Sequence, residues 1–210
     1  MNCIASFTSY PPRIQNCAPV IDSLLNSSIP LTIELNLSLK EFPNGAADLP
    51  RTLQGLISDK AVNVNWCPDN TGVFKKIIPT LKKYYGNDYA LLSMDDDRIY
   101  KKFYVERMLE NLKGYDVYCC DRGIVGNRAI YRAKIFRPVF WENLSSDMIS
   151  TGIDDTYITC YLRHIAATCS FRDDPLVRKE IEVYNPVCGH TYPTVLQNRA
   201  RVLADLCFKT

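Results

Sequence analysis

The chain has 210 residues, 47% of them hydrophobic and 23% charged, a balance that excludes disordered and fibrous classes and lets a chain of this length bury about 70% of its unfolded surface. Lys and Arg number 25 against 23 Asp and Glu, a net charge of +2, so no overall field favours nucleic acid or a strongly basic partner. The N-terminal MNCIASFTSYPPR lacks the basic-then-apolar pattern of a secretory signal, and no apolar run approaches the ~18 residues of a membrane span, which predicts a cytoplasmic protein.

The first 120 residues alternate short apolar runs with helix-period segments, the order of a mostly parallel sheet flanked by helices. Strands are expected at Asn2–Phe7, Leu31–Leu37, Val62–Trp66 and Ala90–Met94. Helices are expected near Pro19–Asn26, Asp48–Ser58 and Ile77–Tyr85. Pro79 is tolerated in a first turn but not in a helix interior, so the third helix should begin near Lys76–Ile78. An amphipathic helix at Lys101–Lys113, a strand at Val117–Cys120 and an extended segment at Ile124–Tyr131 follow, then a helix from about Asp154 and a last one over Pro193–Phe208. One domain over 1–210 is predicted, with 1–120 as a nucleotide-binding half and 121–210 shaping a second site; the helical end would suit the first domain of a longer polypeptide.

The sharpest chemical signal is Asp95-Asp96-Asp97 directly after the apolar run ALLSM. Three adjacent anions repel. At the carboxyl end of a parallel strand, where open α/β sheets bind ligands, a divalent cation would make them tolerable. In extended backbone Asp95 and Asp97 share a side, so one can take metal while the other takes metal or a hydroxyl. The bland alternative is a solvated turn capping the next helix.

Three other segments complete the pattern. Asp69-Asn70-Thr71-Gly72 leads into Lys75 and Lys76 at a helix start, where lysines and terminal N–H groups suit a diphosphate, unless they only open a basic solvated face. Thr8-Ser9-Tyr10-Pro11-Pro12-Arg13 lacks G-x-G-x-x-G, which argues against a dinucleotide turn, but it offers hydroxyls, a ring and an Arg for base, ribose and phosphate. Asp154 and Asp155 open a helix either as caps or as a general base held as the anion by the helix N-terminus. His190 could add a third metal ligand, whereas His164 falls near an apolar stripe and reads as packed. Phe140 and Trp141 read as core before sugar platform. Nine cysteines with no C-x-x-C pair read as reduced thiols, Cys3, Cys119 and Cys160 among the buried ones.

Taken together, ASFTSYPPRI, DNTGVFKKIIP, the strand-borne DDD and GIDDTYI resemble a GT-A fold glycosyltransferase of the bacterial and viral capsule- or lipopolysaccharide-type group, over roughly Asn2 to Leu162. The likeness extends to a glycosyltransferase domain of the chlorella-virus type, and a viral member would be expected to work in the host cytoplasm. The resemblance implies that Asp97 binds Mn²⁺ or Mg²⁺ bridging a donor diphosphate, with Asp95 on ribose or metal and Asp96 beside them. It implies that Thr8, Tyr10, Arg13 and Asp69 contact the nucleotide and that Lys75 or Lys76 stabilises the leaving diphosphate. Asp154 and Asp155 resemble the acidic pair that supplies the base in inverting members, usually Glu-Asp, and Asp155 is the expected base. The partners implied are a nucleotide-diphosphate sugar, UDP-linked by likeness, and a glycan or glycoprotein acceptor hydroxyl. A Mg²⁺-dependent phosphohydrolase and a catalytically silent nucleotide-sugar-binding module are the competing readings.

Overall fold

The computed structural model describes residues 1–120, 128–172, 174–183 and 194–208. In chain order the elements are β1 (Asn2–Thr8), α1 (Cys17–Leu25), β2 (Thr32–Ser38), α2 (Arg51–Ser58), β3 (Asn63–Cys67), α3 (Ile78–Lys83), β4 (Tyr89–Ser93), β5 (Arg98–Tyr100) and α4 (Tyr104–Leu112). They continue with β6 (Val117–Cys119), β7 (Ala129–Arg132), α5 (Val139–Glu142), α6 (Ser146–Thr151), α7 (Asp154–His164), β8 (Cys169–Phe171), α8 (Pro175–Lys179), β9 (Ile181–Val183) and α9 (Thr194–Phe208).

The described strands form a seven-stranded sheet in the order β3-β2-β1-β4-β7-β6-β8 and a two-stranded sheet of β5 and β9. Strands β1 to β4 run parallel to one another, β7 is antiparallel to both β4 and β6, and β8 is parallel to β6. The period of two splits the strand residues between two cores. Cys3, Ala5, Phe7, Ile33, Leu35, Leu37 and Leu92 pack with α1, α2 and α4 on one face. Ile4, Leu91, Val117, Cys119 and Tyr131 pack with α3 and the C-terminal helices on the other.

Three aromatic contacts fix α7 to the turns and short helix around it. Tyr157 donates its hydroxyl to Phe140 O at 2.6 Å and Tyr161 to Ile135 O at 2.7 Å. Phe74 meets Tyr157 edge-on at 5.6 Å, which ties the segment carrying Lys75 and Lys76 to the helix that opens with Asp154. Gly152, at φ +66°, ends α6 in the left-handed region and lets the chain turn at once into α7.

Several expectations are corrected. The chain does not stay extended after ALLSM: it turns at Asp96–Asp97, so Asp95 and Asp97 leave on different sides. The helix expected over Lys101–Lys113 is shorter because Arg98–Tyr100 pairs with Ile181–Val183 first. The extended segment begins at Ala129, its residues 124–127 lying outside the described ones. The third helix, by contrast, begins at Ile78 with Pro79 in its first turn, as expected; a 3-10 turn at Gly72–Lys76 precedes it, and it ends two residues early, at Lys83. His164 is exposed and stacks on Phe208. Among the described cysteines Cys3, Cys17, Cys119, Cys120 and Cys160 are buried, which agrees with the burial expected of Cys3, Cys119 and Cys160.

Candidate active site

The carboxyl ends of β1 and β4 are adjacent strands of the sheet, which puts Ser9–Arg13 against Asp95–Asp97. Ser9 donates to Asp96 Oδ2 at 2.6 Å, and Arg13 pairs with Asp96 Oδ1 and, at 3.1 Å, with Asp97 Oδ2. Arg98 adds a guanidinium 3.2 Å from Asp97 Oδ1. Asp95 turns the other way and accepts from Lys76 Nζ at 2.8 Å. Each member of the acidic run therefore faces a cation, which answers the repulsion that the sequence posed. The turn is held from below: Tyr100, buried, accepts from Asp95 N at 2.8 Å through its hydroxyl, while its own N–H donates to Ser23 Oγ.

Lys76 joins this cluster to α7. Its ammonium lies 3.9 Å from Asp154 Oδ2, so Asp95 and Asp154, 59 residues apart in the chain, share one cation. The two acids hold the Lys76 ammonium protonated well above the usual lysine range despite its burial. Asp155 moves the opposite way. Burial first, and then the charge of Asp154, push its carboxyl up to about 8, against the pull of Lys76. The expected anion held by a helix N-terminus is thus replaced by an acid that keeps its proton at neutrality, because desolvation and a like charge outweigh the helix dipole.

The remaining predicted residues lie around this centre in two groups. Thr8 donates to Asn36 O at 2.7 Å, and Tyr10 stands exposed at the mouth beside Arg13. Asp69 is exposed and paired with Lys40 at 2.9 Å, at the end of β3 and outside the acidic cluster. Lys75 is buried, donating to Glu41 at 2.9 Å and to Asn70. Its charge is spent there, so neither the solvated basic face nor an open two-lysine anion site forms. Gly72 makes that bend at φ +57°, its N–H donating to Asn70 Oδ1 at 3.0 Å. His190 lies outside the described residues. Sequence reasoning missed Ser9, Arg98, Tyr100 and Glu41 as partners; Arg98, which directly follows the acidic run, was the one with a visible signal.

The donor set suits a hard divalent cation, since every ligand on offer is a carboxylate oxygen. Asp97 Oδ1 is buried and makes no hydrogen bond, its contact with Arg98 being an ion pair at 3.2 Å, so it keeps a lone pair that such an ion could share. No three His, Cys, Asp or Glu side chains among the described residues gather into a complete cage. An ion there would be held by one or two carboxylates and completed by substrate phosphates.

A mostly parallel seven-stranded sheet with helices on both faces and an acidic turn at the carboxyl end of β4 is the GT-A glycosyltransferase fold. Solved structures support that fold. The chain is similar to S. aureus TarS 1–349 in complex with UDP-GlcNAc, with a TM-score of 0.58 at 14% identity, over 83% of this chain and 56% of that one. The same protein in complex with UDP gives 0.56 at 13%, over 83% and 58%. The glycosyltransferase GlyE of Streptococcus pneumoniae TIGR4 is more distant, at 0.43 and 14%, over 98% and 63%. This chain thus spans little more than half the length of TarS 1–349. No family model and no curated protein matches the sequence.

Proposed function

We propose that the protein is a metal-dependent glycosyltransferase that moves a hexose, deoxyhexose or N-acetylhexosamine from a UDP-linked donor to a glycan or glycoprotein hydroxyl, with inversion. The observation that carries this reading is Lys76, buried between Asp95 on the donor side and Asp154 on the side of the expected base. The fold shared with a protein solved in complex with UDP-GlcNAc supports the uridine donor.

In this reading Tyr10 and Thr8 face the base and ribose, and Arg13 and Lys76 face the diphosphate. A divalent ion, Mn²⁺ or Mg²⁺, would be held by Asp97 with Asp95 nearby and would supply Lewis-acid stabilisation of the leaving diphosphate. Lys76 adds a fixed positive charge where negative charge develops as the sugar–phosphate bond breaks, in a partly dry site where that charge acts strongly. Asp155 takes the proton of the acceptor hydroxyl as the oxygen attacks the anomeric carbon from the face opposite the diphosphate. A carboxyl raised toward neutrality is a stronger base than an ordinary one once it has lost its proton. No helix among the described residues is long and apolar enough to cross a membrane.

A panel of nucleotide sugars tests the reading. UDP-GlcNAc, UDP-glucose, dTDP- and GDP-sugars are each added with and without Mn²⁺, and melting temperature and release of the nucleoside diphosphate are followed. A uridine donor that raises the melting point only with Mn²⁺ and is slowly hydrolysed is the expected result. A protein that no nucleotide sugar stabilises under any metal would not be this enzyme.

A further inference from the structure

The geometry points to Ser6, Asn36 and Thr80 as positioning residues that hold Lys76 in place, an inference that rests on the transferase reading for its consequence but not for its structural half. Strand β2 reads TIELNLS, an alternation that ordinarily leaves one face in water. Here Glu34, Asn36 and Ser38 are all fully buried, as are Ser6 on β1 and Thr80 on α3. A polar seam therefore runs beneath α3 where an apolar layer would serve packing as well.

Its hydrogen bonds have a direction. Glu34 can only accept, and it does so from Asn63 at 2.8 Å, Asn65 at 2.7 Å, Lys83 at 2.8 Å and Tyr84 at 2.6 Å. This turns the Asn65 amide nitrogen toward it, and the same nitrogen donates to Asn36 Oδ1 at 2.8 Å. The Asn36 nitrogen must then face the other way, and it donates to Ser6 Oγ at 3.0 Å and Thr80 Oγ1 at 3.2 Å. Ser6 and Thr80 hydroxyls lie 2.7 Å apart, and Ser6 spends its proton on the Lys76 carbonyl at 2.6 Å. A buried anion thus orients a relay that ends on the backbone of Lys76.

Lys76 needs such a grip. It closes a 3-10 turn, and Ile77 after it has φ −126° and ψ −34° before α3 begins, so no regular helix fixes its backbone. Its four-carbon side chain must nevertheless reach Asp95 at 2.8 Å and lie 3.9 Å from Asp154. Released backbone would let the ammonium swing out of that bridge, and small displacements in a preorganised site are costly to turnover.

The test reads Lys76 directly. Wild type, Thr80→Val, Thr80→Ser and Ser6→Ala are treated with an amine-acetylating reagent under native conditions, and acetylation of Lys76 is followed by mass spectrometry against that of exposed Lys82. Release of UDP from UDP-GlcNAc with Mn²⁺ is measured in parallel. Thr80→Val and Ser6→Ala should raise Lys76 labelling and lower kcat, each by a factor of about five, the scale of one lost buried hydrogen bond, with KM almost unchanged. Thr80→Ser keeps the hydroxyl and should restore both. Two folded variants with wild-type labelling overturn the proposal, and so does raised labelling with undiminished kcat. If the wild type turns over no nucleotide sugar, the transferase reading falls, and labelling alone decides whether the seam holds Lys76.

Discussion

Lys76 Nζ lies 2.8 Å from Asp95 Oδ1, and this single contact links the two halves of the site, because the same nitrogen lies 3.9 Å from Asp154. Replacing it by Met, which keeps the stem and removes the charge, leaves two carboxylates sharing a buried space with nothing between them. Breaking a buried pair from one side costs about 3–5 kcal/mol, so Lys76→Met should melt well below wild type at pH 7.5. The deficit should shrink on acidification as the stranded acids take protons. Turnover with UDP-GlcNAc should be lost even at temperatures where the variant is folded. A variant with wild-type stability would mean that the bridge is not made in solution.

Arg13 and Asp96 pose a related problem with a different sign. Burial raises the Asp96 carboxyl, while Ser9 and then Arg13 pull it back down. In Arg13→Gln the restraint goes and Asp96 rises further above its unfolded value. A carboxyl raised in the folded state binds more protons folded than unfolded, so its stability contribution is lost as pH rises through the folded value. Arg13→Gln should therefore lose more melting temperature at pH 8 than at pH 5. An equal loss at both would mean that Arg13 contributes packing only.

Much of this was legible in the residues. The runs around Ile4, Leu35 and Leu91 are apolar because parallel strands are covered on both faces, and three acids behind such a run demand neutralisation by something. What neutralises them was not legible. The pairing of Asp95 with Lys76, or Asp96 with Ser9 and Arg13, depends on which strands become neighbours, and no local pattern encodes that. Nor could the three-residue strands Arg98–Tyr100 and Ile181–Val183 be seen, since each exists only by pairing with the other across the chain. Lys75 shows the limit from the other side. Its adjacency to Lys76 suggested one shared task, yet a turn residue apart the two side chains go to different partners, Glu41 and Asp95.

Asp97 offers the cleanest separation of metal from fold. Its Oδ1 makes no hydrogen bond, although Arg98 lies 3.2 Å from it, so removing the carboxylate deletes a ligand while Arg13 keeps its pairing with Asp96. Asp97→Ala should remain folded, with a melting temperature no lower than that of wild type by more than a few degrees. It should fail to bind Mn²⁺ in the presence of UDP, as read by the electron paramagnetic resonance signal of free manganese. Wild-type manganese uptake by the variant would remove Asp97 from the ligand set.

Asp155 carries the pH dependence of the proposed reaction. Its carboxyl is pushed up to about 8, chiefly by burial and then by Asp154, so at pH 6.5 most molecules hold it neutral. A base must be deprotonated to work, and kcat/KM should climb with pH through this region and level off above it. Stability should run the opposite way, because the folded state keeps a proton that the unfolded chain gives up near pH 4. Asp155→Asn removes both effects. The variant should keep its affinity for UDP and lose turnover, and its melting temperature should exceed that of wild type increasingly from pH 6 to pH 9. Equal melting curves across that range would place Asp155 in water rather than in the cleft. Loss of UDP affinity along with turnover would make it a structural cap.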